Sequence, residues 1–443
     1  MRPRGATSAT FVRSASASSQ SVARRRSPEY GGHGNRGERT RTFIGANDAR
    51  GAYHHASVRI LILTPRLPWP PLDGGRVAMS RLAESLARCG AEVEVLSLNP
   101  RKHRGVARGP LPVRAIDIDT SRVAGPALRA MTSRMPYVVA RFVSRAFADA
   151  IDDTMRRFAP DVVQVESPFL IPYAKRIRGA RCVLRSMNVE FHIWEGLARN
   201  ERDPLRRFAL KRVAASLRGY EVRAMNALDA IVPISDADRD DFRLLGCTRP
   251  MHVVPCGVTL PDLGDSLPDP TRVGFLGSLD YRPNQNAVTW ILDELWPRVV
   301  RRMPEARLSI AGSAPPDWLR DRATERDVEL LADVPDAHAF MRRMSVLLAP
   351  LFAGGGMRIK VLEAMALGKP IVATALGAGG IEVEHERDIL LAEESDAFAD
   401  VVVRLLRDST LAARIGNAAR ARVATLYDND ALARGLLRFY ESL

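Results

Sequence analysis

Ala349-Pro-Leu-Phe-Ala-Gly-Gly-Gly-Met-Arg-Ile-Lys-Val-Leu-Glu-Ala-Met-Ala-Leu-Gly-Lys-Pro-Ile-Val-Ala-Thr374 reads as the end of a strand, a triple-glycine loop, a helix starting at about Met357, and the next strand. Gly354, Gly355 and Gly356 allow positive φ and let a bulky ligand approach the main chain closely. The helix behind them offers first-turn N–H groups and the positive end of its dipole, which favour a phosphate. Arg358 and Lys360 fall in that first turn, where the dipole disfavours cations, so an anionic partner accounts for their placement. Glu363 lies one turn further in, on a nearby face, where a carboxylate can accept two hydrogen bonds from sugar hydroxyls. Taken alone, these features weigh phosphate binding and ordinary surface ion pairing about equally.

The same rhythm extends outward. Before this stretch, strands are expected at Arg272–Leu276, Leu308–Gly312, Val328–Ala332 and Val346–Pro350, and after its closing strand Pro370–Thr374 the segments Asp396–Ala424 and Asn429–Leu443 read as helical. The first half alternates likewise. Val58–Thr64 is a buried-strand run, followed by a proline-containing loop, the Asp73-Gly74-Gly75 turn, a helix over Arg76–Arg88 and a strand over Glu92–Leu98. Further strands are expected at Val113–Ile118, Asp161–Glu166, Arg181–Ser186, Ala230–Ile234 and His252–Pro255. Alternation of this kind implies parallel sheets covered on both faces. Pro261–Pro270 has linker composition. The expected organisation is a disordered basic segment at 1–56, an acceptor domain at 57–260, a linker at 261–270 and a donor domain at 271–426. A C-terminal helix at 427–443 is expected to pack back on the first domain. Two facing doubly wound domains put the natural site in the cleft between their strand C-termini.

Composition narrows the function classes. Of 443 residues, 46% are apolar and 26% charged, which is globular. No apolar run approaches the ~20 residues a membrane helix needs. The net charge of +14 is unevenly spread: residues 1–56 hold ten Arg against Glu29, Glu38 and Asp48. Arg outnumbers Lys sixty to five, a bias of genome composition, so nucleic acid is not expected as a partner. Cys89, Cys182, Cys247 and Cys256 are scattered without metal-ligand spacing and read as small buried hydrophobes in a reducing, cytoplasmic setting. Two basic amphipathic stretches stand out, Ala127–Phe158 and Pro204–Met225. In the second, a core-facing helix with a solvated basic face is favoured over a peripheral surface for anionic lipid headgroups, the other reading.

The helix sequence Val361-Leu-Glu-Ala-Met-Ala-Leu-Gly-Lys-Pro-Ile-Val-Ala resembles the donor-binding signature of family 4 retaining glycosyltransferases (glycosyl transferases group 1). The likeness runs from Val58 onward. Arg66-Leu-Pro-Trp-Pro-Pro-Leu-Asp-Gly-Gly-Arg76 is similar to the family's N-terminal glycine loop, and Met187-Asn-Val-Glu190 to its His-Asn-Val-Glu motif. Gly277-Ser-Leu-Asp-Tyr-Arg-Pro-Asn284 resembles the opening of the second domain in an exopolysaccharide/PEP-CTERM branch; Gly377–Glu382 and the Tyr427 region also fit. The resemblance implies a GT-B fold and retaining, metal-independent transfer from a nucleotide diphosphate-sugar to a sugar or lipid-linked acceptor, with no cofactor. It implies that Glu363 binds the ribose, that Arg358 and Lys360 neutralise the diphosphate, and that Gly74 and Gly75 close over the phosphate or sugar. Asn284 joins the donor set, and Glu190 is a candidate for acceptor or sugar contact, weighed equally against a helix-start carboxylate.

Three positions depart from the family pattern. Gly355 stands where the first glutamate of a paired-glutamate signature is expected, Arg282 is the only basic residue within Gly277–Asn286, and Met187 replaces the family histidine, a role that His192 cannot be assigned. The Asp-x-Asp pairs Asp117/Asp119, Asp236/Asp238 and Asp428/Asp430 lie outside the glycine-loop cradle and read as surface carboxylates. Two alternatives remain at this stage: a non-hydrolysing nucleotide-sugar epimerase and a non-catalytic nucleotide-sugar binder.

Overall fold

The computed structural model describes residues 57–71, 73–101, 104–121, 135–264, 268–353 and 356–443. Its first half carries β1 (Arg59–Thr64), α1 (Gly74–Arg88), β2 (Glu92–Pro100), β3 (Val113–Ile118), α2 (Tyr137–Ala140), α3 (Arg145–Phe158), β4 (Val162–Val165), β5 (Arg181–Ser186), α4 (Glu190–Asn200), α5 (Pro204–Met225), β6 (Ala230–Pro233) and α6 (Asp236–Leu244). The second half carries β7 (Arg272–Leu276), α7 (Arg282–Trp290), α8 (Trp296–Arg302), β8 (Arg307–Gly312), α9 (Asp317–Glu325), β9 (Glu329–Ala332), α10 (Ala337–Arg343), β10 (Val346–Ala349), α11 (Ile359–Ala366), β11 (Ile371–Ala373), β12 (Leu390–Leu391), α12 (Ser395–Arg407), α13 (Ser409–Leu426) and α14 (Asn429–Glu441).

The strands form two six-stranded parallel sheets, in the orders β3-β2-β1-β4-β5-β6 and β12-β11-β10-β7-β8-β9. This is the two-Rossmann architecture of the GT-B fold. Both faces of each sheet are covered, which is why β1, β4 and β10 are apolar almost throughout rather than alternating. In the first sheet β1 lies between β2 and β4; in the second β7 lies between β10 and β8. Winding reverses at these places, and a crevice opens at the C-terminal ends of the strands. The loops leaving β1, β5, β7 and β10 are among those that border the site.

Helix α14 lies on the first sheet, not the second. Its Ala433, Leu436 and Tyr440 are buried with Ile62, Val183 and Val232, Arg88 of α1 pairs with Asp430 at 2.7 Å, and the Tyr440 hydroxyl donates to Gln164 Oε1 at 2.6 Å. The chain crosses back through paired main-chain bonds, Val258 N to the Tyr427 carbonyl (2.8 Å) and Asn429 N to the Val258 carbonyl (3.1 Å). Beneath this contact Arg185 and Glu166, each 1% exposed at the side chain, are ion-paired at 3.0 Å.

Several expectations are corrected. The segment His252–Pro255 is not a strand: residues 250–254 run beside β6 with three main-chain bonds, but Pro233, Pro250 and Pro255 interrupt the ladder and leave an isolated bridge at Met251. Asp396–Ala424 is two helices, broken at Asp408, whose carboxylate accepts from Leu411 N at 2.9 Å. Gly74 and Gly75 are not a turn but the first helical residues of α1, because Asp73 caps the helix by accepting from Arg76 N at 3.1 Å. Conversely α11 starts at Ile359, later than expected; Arg358 is its non-helical N-cap, at φ −89° and ψ 82°. The two-residue β12 had no signal of its own. Segment 1–56, part of Ala127–Phe158, part of the linker, and Gly354 and Gly355 lie outside the described residues.

Candidate functional site

The site begins at β10. A Cβ added to Gly377, just past β11, would run into the Ala349 carbonyl, so main chain packs directly on main chain where the glycine loop leaves the sheet. Gly356 has φ +77°, a left-handed conformation that turns the chain into the start of α11. Arg358 supplies no side-chain cap, and no acidic residue occupies the first turn, so the positive end of the helix has no carboxylate from its own sequence.

Two cations stand at this helix start. Part of the Lys360 side chain is accessible, but its ammonium is enclosed: it donates to Asn284 Oδ1 at 3.3 Å and lies 4.4 Å from the centre of the Phe275 ring. Burial, reinforced by the charge of Arg358, lowers its pKa from 10.5 to about 7. Burial also lowers Arg358, with the neighbouring Tyr281 acting in the opposite sense. Asn284 is itself buried and anchored by donating to the Ser278 carbonyl at 2.9 Å, which aims its oxygen at the ammonium. The first turn of α7 thus orients Lys360.

Glu363 sits one turn further along, half-buried, with Oε1 3.8 Å from His338 Nε2 at the start of α10. Lys369, from the same stretch, is turned away: it donates to the Arg342 and Met344 carbonyls at 2.6 and 2.9 Å.

The first sheet meets this cradle directly. Ala78 of α1, Ile234 after β6 and Cys256 form an apolar cluster on which Met187, Met357 and Ile359 pack. A methyl on Gly74 would lie 3.5 Å from Ile359 Cδ1, and one on Gly356 3.6 Å from Asn188 Oδ1. The N-terminus of α1 and the turn after β5 therefore both abut the 356–359 segment. A side chain at Gly75 would press on the Arg66 guanidinium, which pairs with Asp73 at 2.8 Å. Met187, where a histidine was expected, serves this apolar contact, and His192 lies elsewhere, 3.5 Å from Asp241 of α6.

Glu190 opens α4. Its carboxyl is raised to about 7 by burial and by the neighbouring Glu221. Glu221, on α5, is 1% exposed and is also raised to about 7, by burial, against two hydrogen bonds that favour its charged form. Those bonds come from the amides of Glu190 and Phe191, each at 3.0 Å. Sequence reasoning gave no role to Glu221, Asn188, Tyr281 or His338; Asn188 and Tyr281 lie inside the quoted 187–190 and 277–284 motifs, whereas Glu221 and His338 carry no local signal.

The acidic pairs are engaged by other groups of the protein, Asp238 among them although it follows Ile234 at the cradle contact. Asp117 meets Arg104 at 2.6 Å, Asp238 accepts from Ser235, Asp428 caps α14 and Asp430 meets Arg88. Among the described residues no group of three or more His, Cys, Asp and Glu is placed to hold a metal ion, and no helix is long and apolar enough to cross a membrane.

Residues 73–257 match the family model described as a glycosyl transferase 4-like domain, and residues 270–408 the model described as glycosyl transferases group 1. A phosphatidyl-myo-inositol mannosyltransferase of Mycobacterium leprae is 33% identical over 205 residues, 43% of this chain and 53% of that protein, so the match spans about half of that relative. A GDP-mannose-dependent alpha-(1-6)-phosphatidylinositol monomannoside mannosyltransferase of Mycobacterium tuberculosis is 27% identical over 340 residues, 66% of this chain and 86% of that one. The Anabaena Alr3699/HepE structure in complex with UDP superimposes with a TM-score of 0.61 at 16% identity, covering 87% of this chain and all of that one.

Proposed function

Because the chain is a GT-B glycosyltransferase, we propose that it is a retaining, metal-independent one. It moves a sugar from a nucleotide diphosphate-sugar to a sugar or lipid-linked acceptor in polysaccharide or glycolipid assembly, on the cytoplasmic side of the membrane. One observation carries this reading: Arg358 and Lys360 crowd an uncapped, glycine-preceded helix start, at a cost that a bound diphosphate would relieve. The diphosphate lies across the turn at Gly356 and the start of α11, with the N-terminus of α1 at Gly74 and Gly75 on its other side. Glu363 accepts from the ribose hydroxyls, and Asn284 keeps Lys360 in place. Leaving-group charge is then met by two cations and a helix dipole, contacts each worth roughly 2–4 kcal/mol of barrier when aimed at developing charge. No metal is needed for that task. Glu190, at the turn facing the cradle, contacts the acceptor or the transferred sugar.

A surface feature supports peripheral contact with an anionic bilayer. On α5, Leu205 and Phe208 are 81% and 61% exposed, between Arg206, Arg207 and Arg212. Beside them a groove of about 840 Å³ is lined by Arg199, Lys211 and Arg218 together with Val222, Leu244 and Leu245. Apolar side chains interleaved with cations suit a headgroup layer. The names of the mycobacterial relatives, which mention phosphatidylinositol acceptors, agree with a lipid-borne substrate.

The test is incubation with UDP-, GDP- and ADP-sugars plus candidate acceptors, following free nucleotide and the anomeric configuration of the product. Release with retention is expected. Sugar interconversion would instead identify an epimerase, and binding without turnover a non-catalytic binder.

A further inference from the structure

We propose that Glu221 is a positioning residue for glycosyl transfer: from α5 it holds the first turn of α4, and with it the 187–190 turn, against the donor cradle. The proposal rests on the reading of that cradle as the donor site.

Helix α4 has no cap of its own. Its N-cap residue is Val189, whose side chain cannot accept a hydrogen bond. The missing acceptor comes from another helix. Both oxygens of the Glu221 carboxylate are used, one on Glu190 N and one on Phe191 N, each at 3.0 Å. A buried carboxylate spent on two amides is an expensive way to cap an ordinary helix, since Asp, Ser or Thr at position 189 would do it locally. What the longer route adds is a fixed distance between α5 and the turn.

The turn is held at its other end too. Ser186 Oγ donates to the Asn188 carbonyl at 2.8 Å. Between these two anchors, Met187 packs on the Ala78, Ile234 and Cys256 cluster that also carries Met357 and Ile359, and Asn188 Oδ1 approaches Gly356. Glu221 touches none of the cradle residues itself and acts through Asn188 and Glu190. Its surroundings reinforce the rigidity: Tyr220 beside it donates to the Pro168 carbonyl at 3.2 Å, and Arg218 lies 5.7 Å from the Phe191 ring centre.

The diagnostic variant is Glu221→Gln, which keeps the shape but can accept from one amide only and turns a donor toward the other. Donor affinity is measured by titration calorimetry and kcat by nucleotide release, with Glu221→Asp, Asn188→Ala and Lys360→Met alongside. The expected result is a fall in kcat of about 10- to 100-fold with donor Kd within about threefold of wild type, because the diphosphate is held by the second domain. Glu221→Asp should recover part of the loss, and Asn188→Ala, which leaves the cap intact, should reproduce it even if Glu221→Gln proves too unstable to purify. Wild-type kcat in Glu221→Gln or in Asn188→Ala, with Lys360→Met impaired in donor binding, would overturn the positioning role alone. Donor binding undiminished in Lys360→Met would overturn the donor-site reading, and the positioning role with it.

Discussion

On the proposed donor-site reading, Lys360 should link donor binding to proton uptake. Without ligand its ammonium has a pKa of about 7, lowered from 10.5 by burial and by Arg358. A diphosphate placed between these two cations adds opposite charge that outweighs both causes and raises the value again. At pH 8 the unliganded side chain is about one-tenth charged, so binding should take up about 0.9 proton; at pH 6 it should take up about 0.1. Each pH unit above 7 must then cost about 1.4 kcal/mol of binding free energy, roughly tenfold in Kd. The stability sign follows from the same numbers. The unfolded chain holds more protons than the folded one between pH 7 and 10.5, so unliganded protein gains stability as pH rises through that window. Thermal stabilisation by donor should accordingly be larger at pH 6.5 than at pH 8.5. The assay is calorimetry with an intact nucleotide-sugar, whose diester phosphates do not titrate near neutrality, in buffers of differing ionisation enthalpy. Glu190 and Glu221 also titrate near 7, so Lys360→Met is the control that isolates the lysine. Buffer-independent heats at pH 8, or a Kd flat from pH 7 to 9, would refute the reasoning.

The remaining expectations concern single groups. Glu363→Gln should weaken nucleotide binding about tenfold or more by calorimetry with the fold intact by circular dichroism; unchanged affinity would remove it from the ribose role. Arg358→Ala with Lys360→Ala should reduce kcat/KM by about 100-fold or more without lowering Tm, and a variant that simply unfolds would mark these side chains as structural. Glu166→Ala leaves the Arg185 charge buried without its carboxylate and should cost about 3–5 kcal/mol in urea denaturation. Leu205→Ser with Phe208→Ser should abolish co-flotation with vesicles containing anionic phospholipid while leaving turnover of a water-soluble acceptor unchanged.

Much of the fold was legible along the chain. The strands β3, β5 and β7 coincide with their expected spans, and α5 begins at Pro204 behind its Asp203 cap, because a short strand-forming run or a cap-plus-proline is a local signal. Boundaries failed where a distant partner decides them. Prolines break the ladder beside β6 only because of how that segment is aligned, and the two residues of β12 become a strand only by pairing with β11.

Residue chemistry at the cradle divides the same way. That Gly356, Arg358, Lys360 and Glu363 share one strand-to-helix junction follows from their spacing, since three or four residues make one helical turn. That the Lys360 ammonium is enclosed by Phe275 and Asn284, from 85 and 76 positions earlier, follows from sheet order, which no local pattern encodes. The cap on α4 by Glu221, 31 residues away, and the shared apolar cluster on which Met187 and Ile359 pack are likewise products of packing. The sequence by itself determined which groups are available and where helices and strands can start. Only the tertiary structure decided which of them lose water together, and it is that shared burial which sets their charge.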